Sequence, residues 1–149
     1  MTTEINTYFA EKKAILEAYY EERRALRDAK DAAYARNDYE EGRRILEEAD
    51  KMTCPVTEGA CMAIRFWKAD ADTMIADDHL WTKDIHDFVT CLREAGVKTF
   101  LFADHSTALM ESIHEFVKEG LTLVGPETYT EECCWSREPQ TRLALRFTF

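Results

Sequence analysis

Apolar positions in the first third of the chain follow a helical period. Ile5, Tyr8, Phe9, Ile15, Leu16, Tyr19, Leu26, Ala29 and Ala33 recur at spacings of three, four and seven, with no Gly or Pro between Thr3 and Ala35. Such a stripe predicts one long amphipathic helix, roughly 45 Å at 1.5 Å per residue. Asn37-Asp38 interrupts it. Asp38 is placed to cap a second helix through Tyr39, Arg43, Leu46 and Ala49, with Glu41 at the capping-box position, so a helical hairpin over 1–53 is expected. Met52 to Pro55 ends that helix, because Pro55 has no backbone N–H and biases Cys54 away from helical geometry.

The remainder, 54–149, reads as a separate α/β domain. Thr57 is expected to cap a third helix to about Ala76, carrying Met62, Ile64, Phe66, Trp67, Met74 and Ile75. Thr82 is expected to cap a fourth, with Ile85, Phe88, Val89, Leu92 and Ala95 on its buried face, Trp81 as a staple residue and Gly96 as its left-handed stop. The period then changes. Val97–Phe102 is β-branched and aromatic, which predicts a strand. Asp104 or Ser106 is expected to cap a fifth helix ending at Gly120, and Leu121–Val124 to form a second strand continuing weakly through Thr130. One intervening helix predicts that these two strands pair in parallel as a βαβ unit. Leu143, Leu145, Phe147 and Phe149 alternate with Ala144, Arg146 and Thr148, the clearest strand pattern in the chain. It is expected to pair with the second strand. The expected class is α+β: a helical hairpin and further helices packed on a small three-stranded mixed sheet.

Charge narrows the function classes. The 149 residues carry 29 acids and 19 bases, a formal charge of −10. Bases are interleaved with carboxylates, which argues against direct nucleic-acid binding. No apolar run approaches the ~20 residues of a membrane span, and Met-Thr-Thr-Glu lacks a signal-peptide pattern, so a soluble, cytoplasmic protein is expected. The acid excess sits mainly in the second part, where Asp70, Asp72, Asp77, Asp78, Asp84 and Asp87 have only Lys83 among them. Such a row can imitate a phosphate strand and dock on a basic groove; a solvated helix face accounts for the same residues.

The stretch WTKDIHDFVTCLREAGVKTFLF from Trp81, with STALME at Ser106–Glu111 and GLTLVG at Gly120–Gly125, resembles a family of small uncharacterised proteins encoded on conjugative elements, plasmids and phages of Clostridia and related Firmicutes. The resemblance covers about 81–149; residues 1–53 match only in style. It implies no catalytic residues. It does imply a mobile genetic element as context, a setting in which small acidic proteins include anti-CRISPR and anti-restriction inhibitors.

Candidate chemistry is sparse. Five Cys without a secretion signal are expected to be reduced. Cys54, Cys61, Cys133 and Cys134 lack zinc-knuckle spacing, yet together, or with His79, His86 or His105, they are the weak candidate set for zinc. Glu111-x-x-His114 has di-iron spacing but no second copy. Asp104-His105-Ser106 holds the three residue types of a hydrolase triad, but consecutive residues cannot converge in that geometry. The turn at Ala103–Thr107 lacks a Gly-rich phosphate cradle. The chain is therefore read as non-enzymatic and without a required cofactor. Trp67, Trp81, Trp135, Tyr19, Tyr20 and Phe66 are large anchors, and Trp135 on its polar loop is the preferred partner contact.

These readings converge on a non-catalytic interaction protein, monomer or homodimer, that inhibits a defence nuclease such as Cas9 through the Asp70–Asp87 carboxylates and Trp135. The alternatives are a regulatory accessory of a conjugative element, with the hairpin as dimerisation surface, and a zinc-binding protein.

Overall fold

A computed structural model describes residues 1–131 and 138–149. Two compact units emerge: Met1–Phe9 with Glu58–Phe149, and Ala10–Thr57. Compared with the expected division at 53/54, the first nine residues fall with the C-terminal unit. No helix among the described residues is long and apolar enough to cross a membrane.

In the hairpin unit, helix α1 (Thr3–Ala35, of which Ala10–Ala35 lie in this unit) and α2 (Tyr39–Lys51) flank a turn in which Asn37 takes φ 61°. Asp38 caps α2 as expected, accepting a 3.1 Å bond from the Glu41 amide. Glu41 does not return the bond. Its carboxylate is forked onto Arg44 at 2.7 and 2.8 Å. Only Ala33, Gly42, Ile45 and Val56 are buried in this unit, so much of the predicted stripe remains half-exposed.

The larger unit places helices on one four-stranded sheet. Its elements are α3 (Glu58–Phe66), β1 (Met74–Ala76), a 3-10 turn (Thr82–Asp84), α4 (Ile85–Glu94), β2 (Thr99–Phe102), α5 (Leu109–Lys118), β3 (Thr122–Glu131) and β4 (Gln140–Thr148). The strand order is β1-β2-β4-β3. β1 and β2 run parallel, and β4 is antiparallel to both of its neighbours.

Three expectations are corrected. The third helix stops at Phe66, and Met74–Ala76 is a strand, which makes the sheet four-stranded. Asp70, Asp72 and Thr73 compete with a helical backbone through their short polar side chains. The carbonyls of Ala69 and Ala71 are also taken, by Asn6 Nδ2 at 3.1 Å and the Met1 ammonium at 2.7 Å. The βαβ unit is β1-α4-β2, since β4 lies between β2 and β3. β4 buries Phe147 on one face and Ala144 on the other, as a central strand must. The capping assignments also move. Trp81, not Thr82, precedes the 3-10 turn, and neither α4 nor α5 receives a side-chain cap.

Other local signals hold. Gly96 and Gly120 terminate α4 and α5 with φ of 78° and 85°. β3 passes through Pro126 because it is an edge strand, with a register shift between Leu123 and Gly125 absorbing the irregularity. The predicted face of α4 is buried at Ile85, Phe88, Val89, Leu92 and Ala95. Phe88, Phe100, Phe102, Phe116 and Phe147 form one ring cluster, with centroids 4.9–6.2 Å apart. The start of α1 closes this unit: Phe9 stacks on Trp67 at 5.8 Å, and Trp67 Nε1 donates to Asn6 Oδ1 at 2.9 Å.

Candidate functional site

Side chains that leave the carboxyl ends of neighbouring parallel strands are brought together, and this edge is where open α/β sheets commonly place ligands. Pairing of β1 with β2 extends one residue further through the Ala103 amide, which donates to the Ala76 carbonyl at 2.8 Å. The extension sets Asp77, Asp78 and His79 beside Asp104, His105 and Ser106. Asp104 is buried and fully engaged: Oδ1 accepts from the Ser106 amide at 2.7 Å, and Oδ2 lies 3.0 Å from His79 Nδ1. Ser106 Oγ stands 3.2 Å from the same Nδ1 and accepts from the Ala108 amide at 3.2 Å. Trp81, 65% exposed, sets its ring edge-to-face against His79 at 4.7 Å.

Burial alone would push the Asp104 carboxyl up. The hydrogen bonds from Ser106, followed by those from His79 and its charge, outweigh burial and hold it below the ordinary carboxylate range. Since the folded value is depressed, the stabilisation is present above the unfolded value of about 3.9 and is lost as pH falls through the folded one. Asp104→Asn is therefore expected to cost ~1–3 kcal/mol near neutral pH, with the difference from wild type closing in acid. Thermal melts of both proteins across pH 2–7 check this, and a pH-independent gap would contradict it.

Asp, His and Ser do converge here, but through His79, 25 residues before Asp104. A nucleophile relay places the carboxylate on one ring nitrogen and the hydroxyl on the other. In this site both address Nδ1, so the contacts pin the imidazole and do not form that relay. The sequence offers His79 only as a possible zinc ligand; its partnership with Asp104 depends on β1, which is too short to show a period.

The six aspartates divide. Asp70 and Asp72 precede edge strand β1, and Asp77 and Asp78 follow it. Asp78 is engaged, accepting from the His79 amide at 2.7 Å and pairing with Arg65 of α3 at 2.8 Å. Asp70, Asp72 and Asp77 are exposed and have no cation within 4.0 Å among the described residues. Asp84 and Asp87 belong to the first turns of the α4 region, half-buried where α3 packs, with Asp84 3.6 Å from Lys83. Of the cysteines, Cys91 is buried and Cys54 and Cys61 are half-buried. Cys133, Cys134 and Trp135 lie outside the described residues. Among the described residues no group of three or more His, Cys, Asp or Glu is arranged to hold a metal ion.

The fold is thus an α+β domain with a mixed four-stranded sheet. The domain of unknown function DUF7698 matches residues 64–149, more than half of the chain, and the chain belongs to that family. The matched region contains all four strands, α4, α5 and the whole His79–Asp104 site. No curated protein and no solved structure matches the chain.

Proposed function

We propose that the chain is a non-catalytic interaction protein that inhibits a defence nuclease of the Cas9 type by covering its basic nucleic-acid channel. The observation supporting this reading is the bracketing of edge strand β1 by Asp70, Asp72, Asp77 and Asp78, three of them without a cationic partner among the described residues. Acids at a sheet edge also discourage strand addition by other chains, so an incoming protein is met by charge before backbone. The likeness to nucleic acid is one of sign, not of charge density. Encounter is steered by the −10 net charge and weakens with salt.

The test is cleavage of target DNA by a guide-loaded Cas9 with increasing amounts of this chain. Inhibition is expected, with relief on raising salt from about 50 to about 200 mM. Asp70→Lys, Asp72→Lys and Asp77→Lys combined should raise the inhibitory concentration roughly tenfold or more, since three reversals act on one contact. Unchanged potency of the triple variant, or no inhibition by the wild type, would defeat the proposal. A dimeric chain that leaves cleavage untouched would fit instead an accessory protein of a conjugative element.

A further inference from the structure

Four cations line one groove of this acidic chain. A groove of about 540 Å³ runs between α1 and α2, with Arg23, Arg24, Arg27 and Lys30 along one side and Asp50 as the one acid lining it. Arg23, Arg27 and Lys30 repeat at i, i+4 and i+7, which places them on a common face of α1, with Glu21 and Asp28 outside the groove beside Arg24 and Arg27. The floor is aliphatic: Leu26, Ile45 and Leu46. Leu46 is 43% exposed and Tyr20, at the groove wall, 51%.

These cations are only loosely engaged. Arg24 and Arg27 approach Glu21 and Asp28 at 3.8 and 3.9 Å, each through a single exposed contact, and the half-buried Lys30 pairs with Asp31 at 3.2 Å. Arg23 rests over the Tyr19 ring at 5.9 Å. By contrast, Arg44 is forked onto Glu41 and Arg146 onto Glu127. Exposed single contacts contribute about 0–1 kcal/mol and give way readily to a better partner.

We propose that this groove docks an acidic amphipathic helix of a partner protein, with its apolar stripe on Leu26, Ile45 and Leu46 and its carboxylates on the arginine rim. Helix-in-groove recognition needs this combination of aliphatic floor and charged edge. A nucleic-acid strand would satisfy the rim and leave the floor unfilled. A second copy laying the same groove against it would set arginine rim against arginine rim, which like charge opposes. The groove's residues are other than those of the acidic sheet edge, and its charge is opposite.

The probe is a fluorescent 18-residue helix of Leu and Glu, with Leu at i, i+3, i+4 and i+7, titrated with the full chain and read by anisotropy. Binding that weakens with salt is expected. Arg23→Glu, Arg27→Glu and Lys30→Glu combined should reduce affinity roughly tenfold or more, Leu46→Ala should reduce it to a smaller extent, and the Asp70/Asp72/Asp77 lysine variant should leave it unchanged. Circular dichroism melts establish that each variant is folded, and the salt titration and Leu46→Ala remain informative if the triple variant is not. The proposal is overturned if the charge-reversed groove binds equally well or the wild type does not bind. It is also overturned if a peptide of the same composition with Leu out of helical register binds as tightly, or an oligothymidylate binds more tightly. A chain that sediments as a dimer, and as a monomer once the groove is reversed, would make the groove a self-interface and overturn it too.

Discussion

Replacing Phe116 with alanine is expected to destabilise the larger unit by about 3–5 kcal/mol, a loss large enough to unfold many natural domains. Phe116 is the large, fully buried side chain of α5 and touches four other rings: Phe88, Phe100, Phe102 and Phe147. Truncation removes the buried ring's transfer free energy, leaves a cavity among rigid neighbours that cannot collapse into it, and deletes two edge-to-face contacts, with Phe100 and Phe102. Denaturant unfolding followed by tryptophan fluorescence provides the measurement, since Trp67 stacks within the same unit. The midpoint should fall with little change in slope. Val117→Ala, one residue on and 52% exposed, should stay within about 0.5 kcal/mol. A Phe116→Ala loss below about 1.5 kcal/mol would mean that the five rings are not packed as one cluster.

The buried face of α4 and the existence of β4 were legible before the fold was known, because the apolar spacing of Ile85–Ala95 and the alternation of Leu143–Phe149 are local patterns; that β4 buries Ala144 as well as Phe147 was not. The observed span of α1 and the glycine stops at Gly96 and Gly120 were legible for the same reason: each is determined within a few residues. What was not legible depends on contacts between distant segments. Met74–Ala76 has three residues, and its apolar positions continue the spacing set by Ile64 and Phe66, so only pairing with Phe100–Phe102 makes it a strand. The insertion of β4 between β2 and β3 is likewise a tertiary outcome that no local pattern encodes. At the site, the aspartates are visible as composition, but their division is not, because it follows from where β1 begins and ends. The same three-residue strand brings His79 to Asp104.

Gly59→Ala should destabilise, and the sign is the informative part. Alanine exceeds glycine in a helix interior by about 1 kcal/mol, so local propensity at this position in α3 favours the substitution. Packing opposes it. A Cβ on Gly59 would stand 2.3 Å from the Asp84 carbonyl oxygen, 2.4 Å from the Phe88 amide nitrogen and 2.8 Å from the Asp87 Cβ. Two of these are backbone atoms of the α4 region and cannot rotate away, so α3 and α4 must separate. Overpacking of this kind costs ~1–3 kcal/mol, and with the propensity gain set against it the net loss is about 1 kcal/mol. Gly42 provides the control. The three atoms nearest its added Cβ all belong to the Tyr34 ring, the closest at 2.2 Å, and that side chain is 37% exposed and free to swing out. Gly42→Ala in α2 should therefore be close to neutral or stabilising. Thermal melts of the two variants compare them directly. A stabilised Gly59→Ala protein would show that α3 does not approach α4 at this distance, and with it would go the half-buried placement of Asp84 and Asp87 that separates them from the exposed acids at the sheet edge.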